Sequence, residues 1–258
     1  MLKVEHIAYH IGQKALLEDF SADFPPGQLH LILGPNGAGK STLIKLLSGE
    51  LPSKQGKVLY ENKSITTHSL PELATRRAVL SQNIDLSFPM KVHEVVMMGR
   101  YPHFRSHPTG VDFTAIEEAM NFFDIASFRD REYLTLSGGE KQRVHFARVL
   151  AQIIQSEHSG CRYLFLDEPL TYLDVYYQFQ FMQLLRKLLK EYPLVVVGVV
   201  HDLNLAAKFA DQLVLLHQGK LLAKGPVHEV LTEKNIEMAY RLSPLIHHSK
   251  KGTFLFFE

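Results

Sequence analysis

Gly34-Pro35-Asn36-Gly37-Ala38-Gly39-Lys40-Ser41-Thr42 fills every fixed position of the pattern Gly-x4-Gly-Lys-[Ser/Thr]. Leu29 to Leu33 ahead of it make an apolar run of buried-strand length, and Leu43, Ile44, Leu46 and Leu47 behind it recur at helical spacing. A glycine-rich turn between a strand and a helix start is a phosphate cradle, because successive N–H groups and the positive end of the helix converge on an anion. Lys40 is placed to reach the β- and γ-phosphates of a nucleotide, Ser41 to put its hydroxyl on Mg2+, and Thr42 to bond a neighbouring phosphate oxygen.

Working outward, Val4 to Tyr9, Ala15 to Phe24 and Gly56 to Tyr60 read as further strands, the second stopped by Pro25-Pro26-Gly27. Between about residues 90 and 155 helical spacing dominates, as in Val92, Val95, Val96 and Ile116, Ala119, Met120, Phe123. Strand and helix then alternate through Tyr163–Leu166, Val175–Lys190, Val195–Val200, Leu203–Phe209 and Gln212–His217. This order predicts an α/β fold: a phosphate-loop core with a mixed, largely parallel sheet covered by helices, an antiparallel β region, and an inserted α-helical subdomain. The chain reads as a single domain, residues 1–258, with the helical subdomain at approximately 88–155.

Tyr163-Leu164-Phe165-Leu166 leads straight into Asp167 and Glu168, two carboxylates at the carboxyl end of a buried strand, the edge of a parallel sheet where ligands bind. Asp167 suits Mg2+ held through its water shell; Glu168 suits the polarising of a water that attacks the γ-phosphate.

Leu136-Ser137-Gly138-Gly139-Glu140, followed by Lys141-Gln142-Arg143-Val144, separates this chain from kinases and small GTPases. With the phosphate loop it resembles the ATP-binding-cassette (ABC) family, whose signature is Leu-Ser-Gly-Gly. Ser137 and the glycines at a helix start form a second anion site, and the resemblance implies that this site faces the γ-phosphate held by another copy of the chain, so that two chains sandwich two ATP. It implies further that Gln82 touches Mg2+ and the attacking water, that Asp174, closing Pro169 to Asp174, contacts the opposite subunit, and that His201 contacts the γ-phosphate. Two departures stand out. Leu170-Thr171-Tyr172 replaces the usual Thr-Ser-Ala, and Ile11 before Gly12 replaces the aromatic that commonly stacks on adenine, with Tyr9 either a substitute or a core residue.

The resemblance covers essentially the whole chain. Val92-His93-Glu94-Val95-Val96-Met97-Met98-Gly99-Arg100-Tyr101-Pro102-His103 looks like the stretch found in ATPases of bacterial iron-siderophore, haem and cobalamin importers, in the subdomain that grips the permease. Ala147 to Gln152 with a long spacer to Arg162-Tyr163-Leu164-Phe165-Leu166-Asp167 is similar to haemin-import ATPases. The implied partners are a second copy, two transmembrane permease subunits and, indirectly, a periplasmic haem-binding protein; the implied cofactors are ATP and Mg2+, and the implied place is the cytoplasmic face of the bacterial inner membrane, held peripherally.

Composition agrees and excludes alternatives. A formal charge of +1 in 258 residues offers no grip on nucleic acid, which disfavours a cassette protein acting on DNA or ribosomes. A lone Cys161 rules out an internal disulfide, and no amino-terminal secretion signal is visible. The most apolar stretch, Leu194 to Val200, is about a third of the roughly 20 residues a membrane-spanning helix needs. The 14 histidines are scattered, apart from adjacent His247 and His248.

Overall fold

The computed structural model describes residues 1–81, 86–155, 160–171, 173–249 and 252–257. The chain begins with β1 (Leu2–Ile11) and β2 (Lys14–Phe24), then β3 (Leu29–Leu33), the glycine-rich loop and α1 (Lys40–Ser48). β4 (Gln55–Tyr60) and β5 (Lys63–Ser64) precede α2 (Leu70–Arg76) and β6 (Arg77–Leu80). Three helices follow without an intervening strand: α3 (Val92–Met97), α4 (Gly110–Phe122) and α5 (Gly138–Ile153). The alternation resumes with β7 (Arg162–Leu166), α6 (Val175–Glu191), β8 (Leu194–Val199), α7 (Leu203–Phe209), β9 (Gln212–His217) and β10 (Lys220–Gly225). Two short helices, α8 (Val227–Val230) and α9 (Glu233–Tyr240), and a hairpin, β11 (Leu245–Ser249) with β12 (Gly252–Phe256), close the chain.

Two sheets carry the fold. The larger runs β10-β9-β3-β8-β7-β6, with every pair parallel except β10 against β9. The smaller, β2-β1-β4-β5, is antiparallel throughout. The mixed, largely parallel sheet and the separate antiparallel region are those expected from the sequence. All six residues of β8 are buried, as the centre of a sheet covered on both faces requires. Helix α1 lies between the sheets: Leu43, Ile44, Leu46 and Leu47 share a core with Leu2, Ile7, Leu17 and Phe20 of the small sheet and Val195, Val197 and Val199 of the large one. The other face of the large sheet packs on α5 and α6 in a second core, continuous with Val92, Val95, Ile116 and Met120 of the helical insertion.

The Gly99-Arg100-x-Pro102-His103 stretch is held inward. Gly99 approaches α5 so closely that a Cβ would lie 2.1 Å from the Arg148 carbonyl. Buried Arg100 donates from Nε to Asp112 Oδ1 (2.9 Å) and from Nη1 to the carbonyls of Ala151 and Ile154 (2.8 Å each), while His103 Nε2 lies 2.7 Å from the Gln152 carbonyl. Arg100 and His103 thus satisfy carbonyls left over at the carboxyl end of α5. Tyr101 between them is 56% exposed and stacks edge-on with Phe104.

Candidate nucleotide site

The glycine-rich loop links the carboxyl end of β3 to the amino end of α1 between the two sheets. Gly34 has φ 149°, and a Cβ there would sit 2.4 Å from the Leu216 carbonyl oxygen, so no other residue fits. α1 begins at Gly39, which offers no side chain to cap it. Within the turn the Ala38 N–H bonds to the Pro35 carbonyl, and in α1 the Leu43 N–H is the first to bond back, to the Gly39 carbonyl, so the N–H groups of Lys40, Ser41 and Thr42 are left for an anion. Other helices differ: Asp174 caps α6, Asp202 caps α7 and Ser137 caps α5, each by side-chain oxygen.

Lys40 is 6% exposed, and its Nζ donates to the carbonyls of Gly34 (2.8 Å) and Pro35 (3.0 Å). Burial pulls its pKa down, against the opposing pull of Glu168 and Asp167. Ser41 Oγ donates to Asp167 Oδ1 at 3.0 Å. Asp167 follows β7 directly, its N–H extending the parallel ladder to the Leu80 carbonyl. At 7% exposure its carboxyl pKa is raised, chiefly by burial, with Ser41 and nearby Lys45 and Lys40 pulling the other way. A hydroxyl and a carboxylate meeting beside a lysine form a hard-oxygen donor set, which fits Mg2+.

Glu168 takes the left-handed conformation, φ 53°, and its Oε1 lies 2.8 Å from His201 Nε2. His201 comes two residues after β8, where the Val200 N–H still bonds to the Ile32 carbonyl of β3. Glu168, Thr171, Val200, His201 and Asp202 line a cleft of about 250 Å³. Parallel pairing thus brings the ends of β3, β7 and β8 to one edge.

The other expected residues lie elsewhere or are not described. Gln82 lies outside the described residues. Leu136 is buried and Ser137 begins α5, its Oγ accepting from the Glu140 N–H while the Glu140 carboxylate accepts from the Ser137 N–H at 2.7 Å. That reciprocal pair, with Arg131, holds the Glu140 pKa low. Gly138 has open space where a Cβ would be. Among the described residues no hydrogen bond or ion pair joins residues 136–140 to residues 34–42. Asp174 is exposed and receives the Tyr177 N–H at 3.0 Å.

Tyr9 packs half-buried against the core of the small sheet, while Ile11 stands exposed. His247 and His248 are neighbours on β11 and so point to opposite faces. Two contacts had no signal in the sequence. Gln142 Nε2 donates to the Pro169 carbonyl (2.9 Å), linking α5 to the turn after Glu168, and the Gly34 N–H donates to the Tyr240 hydroxyl (2.8 Å) across 206 positions.

Residues 17–171 match the ABC transporter family. The hemin import ATP-binding protein HmuV of Gloeobacter violaceus is 44% identical over 98% of this chain and 92% of its own. An ABC transporter of metal-chelate type, solved in an inward-facing conformation, superposes with a TM-score of 0.82 at 25% identity, over 100% of this chain and 96% of that one. The dimeric structure of MJ0796, a bacterial ABC transporter cassette, gives 0.74 at 25% identity, over 88% and 99%. The phosphate loop, the carboxylate-bearing strand end and these likenesses agree: the chain belongs to the ABC transporter family, as an ATP-binding subunit.

Proposed function

We propose that the chain is the ATP-hydrolysing subunit of a bacterial ABC importer, working as a homodimer that powers haem uptake across the inner membrane. The observation that carries the hydrolytic reading is a convergence. Ser41 meets Asp167, and Glu168 meets His201, beside one uncapped helix start.

In this reading the triphosphate lies along residues 34–42, and Lys40 gives up the Gly34 and Pro35 carbonyls for the β- and γ-phosphates. Ser41, Asp167 and Gln82 hold Mg2+, which when bound neutralises charge on the phosphate oxygens. Glu168 accepts the proton of the attacking water, and His201, bonded to Glu168, fixes that carboxylate and contacts the γ-phosphate. A helix start contributes about 0.3–1 kcal/mol to charge stabilisation, so the lysine must carry more than the dipole does.

Residues 136–140 of one copy cap the nucleotide held by the other, and Asp174 belongs to the same contact. Their lack of any bond to their own chain's loop supports this, as does the dimeric cassette among the structural relatives. Work then comes from a difference in ATP affinity between closed and open dimers, because tight binding to both would shift nothing.

The remaining partners are two transmembrane permease subunits and, through them, a periplasmic haem-binding protein. The subunit would sit peripherally on the cytoplasmic face of the inner membrane, held by the permease; no helix of the described residues is long and apolar enough to cross a membrane. Exposed Tyr101 lies in the stretch that resembles permease-gripping segments. Haem is favoured by the hemin import relative and by the long spacer before β7; the metal-chelate transporter keeps siderophore or cobalamin as a second reading. Nothing favours a nucleic-acid partner. Cells lacking this chain and supplied in turn with haem, a ferric siderophore or cobalamin test the cargo. Failure on haem alone is expected, and failure on a siderophore alone would reassign it.

A further inference from the structure

We propose that Tyr240 is a positioning residue for the phosphate loop, its hydroxyl holding the Gly34 N–H and so fixing where the chain leaves β3 to enter the loop. The proposal rests on the nucleotide-site reading above. Gly34 is gripped on both sides: its N–H donates to Tyr240 (2.8 Å) and its carbonyl accepts from Lys40 Nζ (2.8 Å). The two grips are not equivalent. Lys40 is the group that must turn to the β- and γ-phosphates, and in doing so it releases the carbonyls of Gly34 and Pro35. Tyr240 then remains as a polar hold on residue 34, whose backbone, with φ at 149°, is one that glycine adopts and other residues do not.

The ring is well suited to a fixed role. Burial pushes the Tyr240 pKa up to about 12, so its hydroxyl stays neutral throughout the working pH range. It is the last residue of α9, a helix anchored through buried Ile236 and Ala239 and closed by Arg241 in the left-handed conformation. Five residues after Tyr240 the chain enters β11, and the β11–β12 hairpin is tied to α7 by a two-way amide contact. Asn204 Nδ2 donates to the Leu255 carbonyl (3.1 Å), and the Leu255 N–H donates to Asn204 Oδ1 (2.7 Å). α7 is the helix that begins just after His201. The part of the chain formed by α9 and the β11–β12 hairpin therefore bears on the start of the phosphate loop and on the helix behind His201. All of it lies beyond residue 171, where the family match ends.

The test uses the full chain and MgATP, with binding read by calorimetry. Tyr240→Phe keeps the ring and removes the hydroxyl. A lost neutral hydrogen bond converts to about a 2- to 10-fold rise in the dissociation constant, and the rise is expected in KM for ATP with kcat little changed. A merely structural role would lower the melting temperature and leave the dissociation constant of the folded protein where it was. Unchanged MgATP binding by Tyr240→Phe, with binding lost in Lys40→Ala, would overturn the positioning role and leave the nucleotide site standing. Absence of MgATP binding by the parent chain would remove both. Should Tyr240→Phe fail to fold, amide exchange at Gly34 in the nucleotide-free parent decides: protection is expected, and exchange at the rate of an open loop would overturn the proposal.

Discussion

His201 Nε2 and Glu168 Oε1 stand 2.8 Å apart, joining the segment after β8 to the segment after β7. With Nε2–H donating to the carboxylate, the bond fixes the ring's tautomer and turns Glu168 to one orientation. Glu168 also holds a left-handed backbone at φ 53°, a conformation that costs a non-glycine residue about 1–2 kcal/mol. Strain and hydrogen bond together fix a carboxylate at the mouth of the cleft, which is what a base for an attacking water needs.

Glu168→Gln preserves the shape of the side chain and removes its basicity. Turnover should fall by about 100-fold or more, the range that general-base catalysis supplies, while MgATP binding is retained and dimers accumulate. Hydrolysis rates, calorimetry and size-exclusion chromatography with MgATP check the three parts. Brisk hydrolysis by this variant would place the base elsewhere.

Asp167 carries a conflict between stability and function. Its folded pKa is raised, chiefly by burial, so the native state binds a proton more readily than the unfolded chain does. Stability from this group is therefore present below the ordinary carboxylate pKa and is lost as pH rises through the raised one; at neutral pH the ionised carboxylate is a burden. Asp167→Asn, which can still accept from Ser41, should melt higher than the parent at neutral pH without nucleotide, yet lose Mg2+-dependent turnover. Thermal melts with and without MgATP decide it: a lower melting temperature for the nucleotide-free variant would show that the charge is compensated.

Much of this was legible in the sequence because the signals are local. The apolar run Leu29–Leu33 and the spacing of Leu43 to Leu47 place a strand and helix around the loop, and Tyr163–Leu166 places Asp167 and Glu168 at a strand end. Parallel pairing then brings distant strand ends to one edge, which order along the chain already implies. What stayed hidden depends on non-local packing. Arg100 and His103 read as part of a permease-gripping stretch, yet they spend polar groups on the carboxyl end of α5, a use set by how closely the segment after α3 packs on that helix. Tyr9 left two readings open until its burial against the small-sheet core favoured packing over base stacking. The Tyr240 contact spans 206 positions and has no periodic trace at all.

Acid should destabilise the fold through two buried histidines. Burial lowers His30 and His145 from the ordinary 6.5 to about 4, the latter with nearby Arg148 and Lys141 adding to the effect. Between these values the unfolded chain takes up protons that the native state refuses, so stability is lost as pH falls from 6.5 towards 4. The limiting slope is about 1.4 kcal/mol per pH unit for each histidine. Urea titrations at several pH values should show it, with a shallower dependence in His145→Gln. An unchanged slope in that variant would mean that the ring, whose Nε2 lies 2.7 Å from the Tyr133 hydroxyl, does not resist protonation.

Ser137 tests whether the nucleotide sites are shared between copies. Its Oγ caps α5 rather than meeting its own phosphate loop, so Ser137→Arg should leave MgATP binding by a single chain intact while disabling the site that this turn caps on the opposite copy. The substitution also removes a cap, at about 1 kcal/mol, and retained nucleotide binding serves as the check that the fold survives. Lys40→Ala, in contrast, should lose binding within its own chain. Each variant alone should be inactive. Mixed together, they can form a dimer in which the intact loop of the Ser137→Arg chain faces the intact signature of the Lys40→Ala chain. Random pairing should then restore roughly a quarter of the parent's ATPase rate if the two sites of a symmetric dimer act independently. Sites complete within one chain would give no restoration at any ratio, so the mixing curve separates the two arrangements without knowledge of the permease.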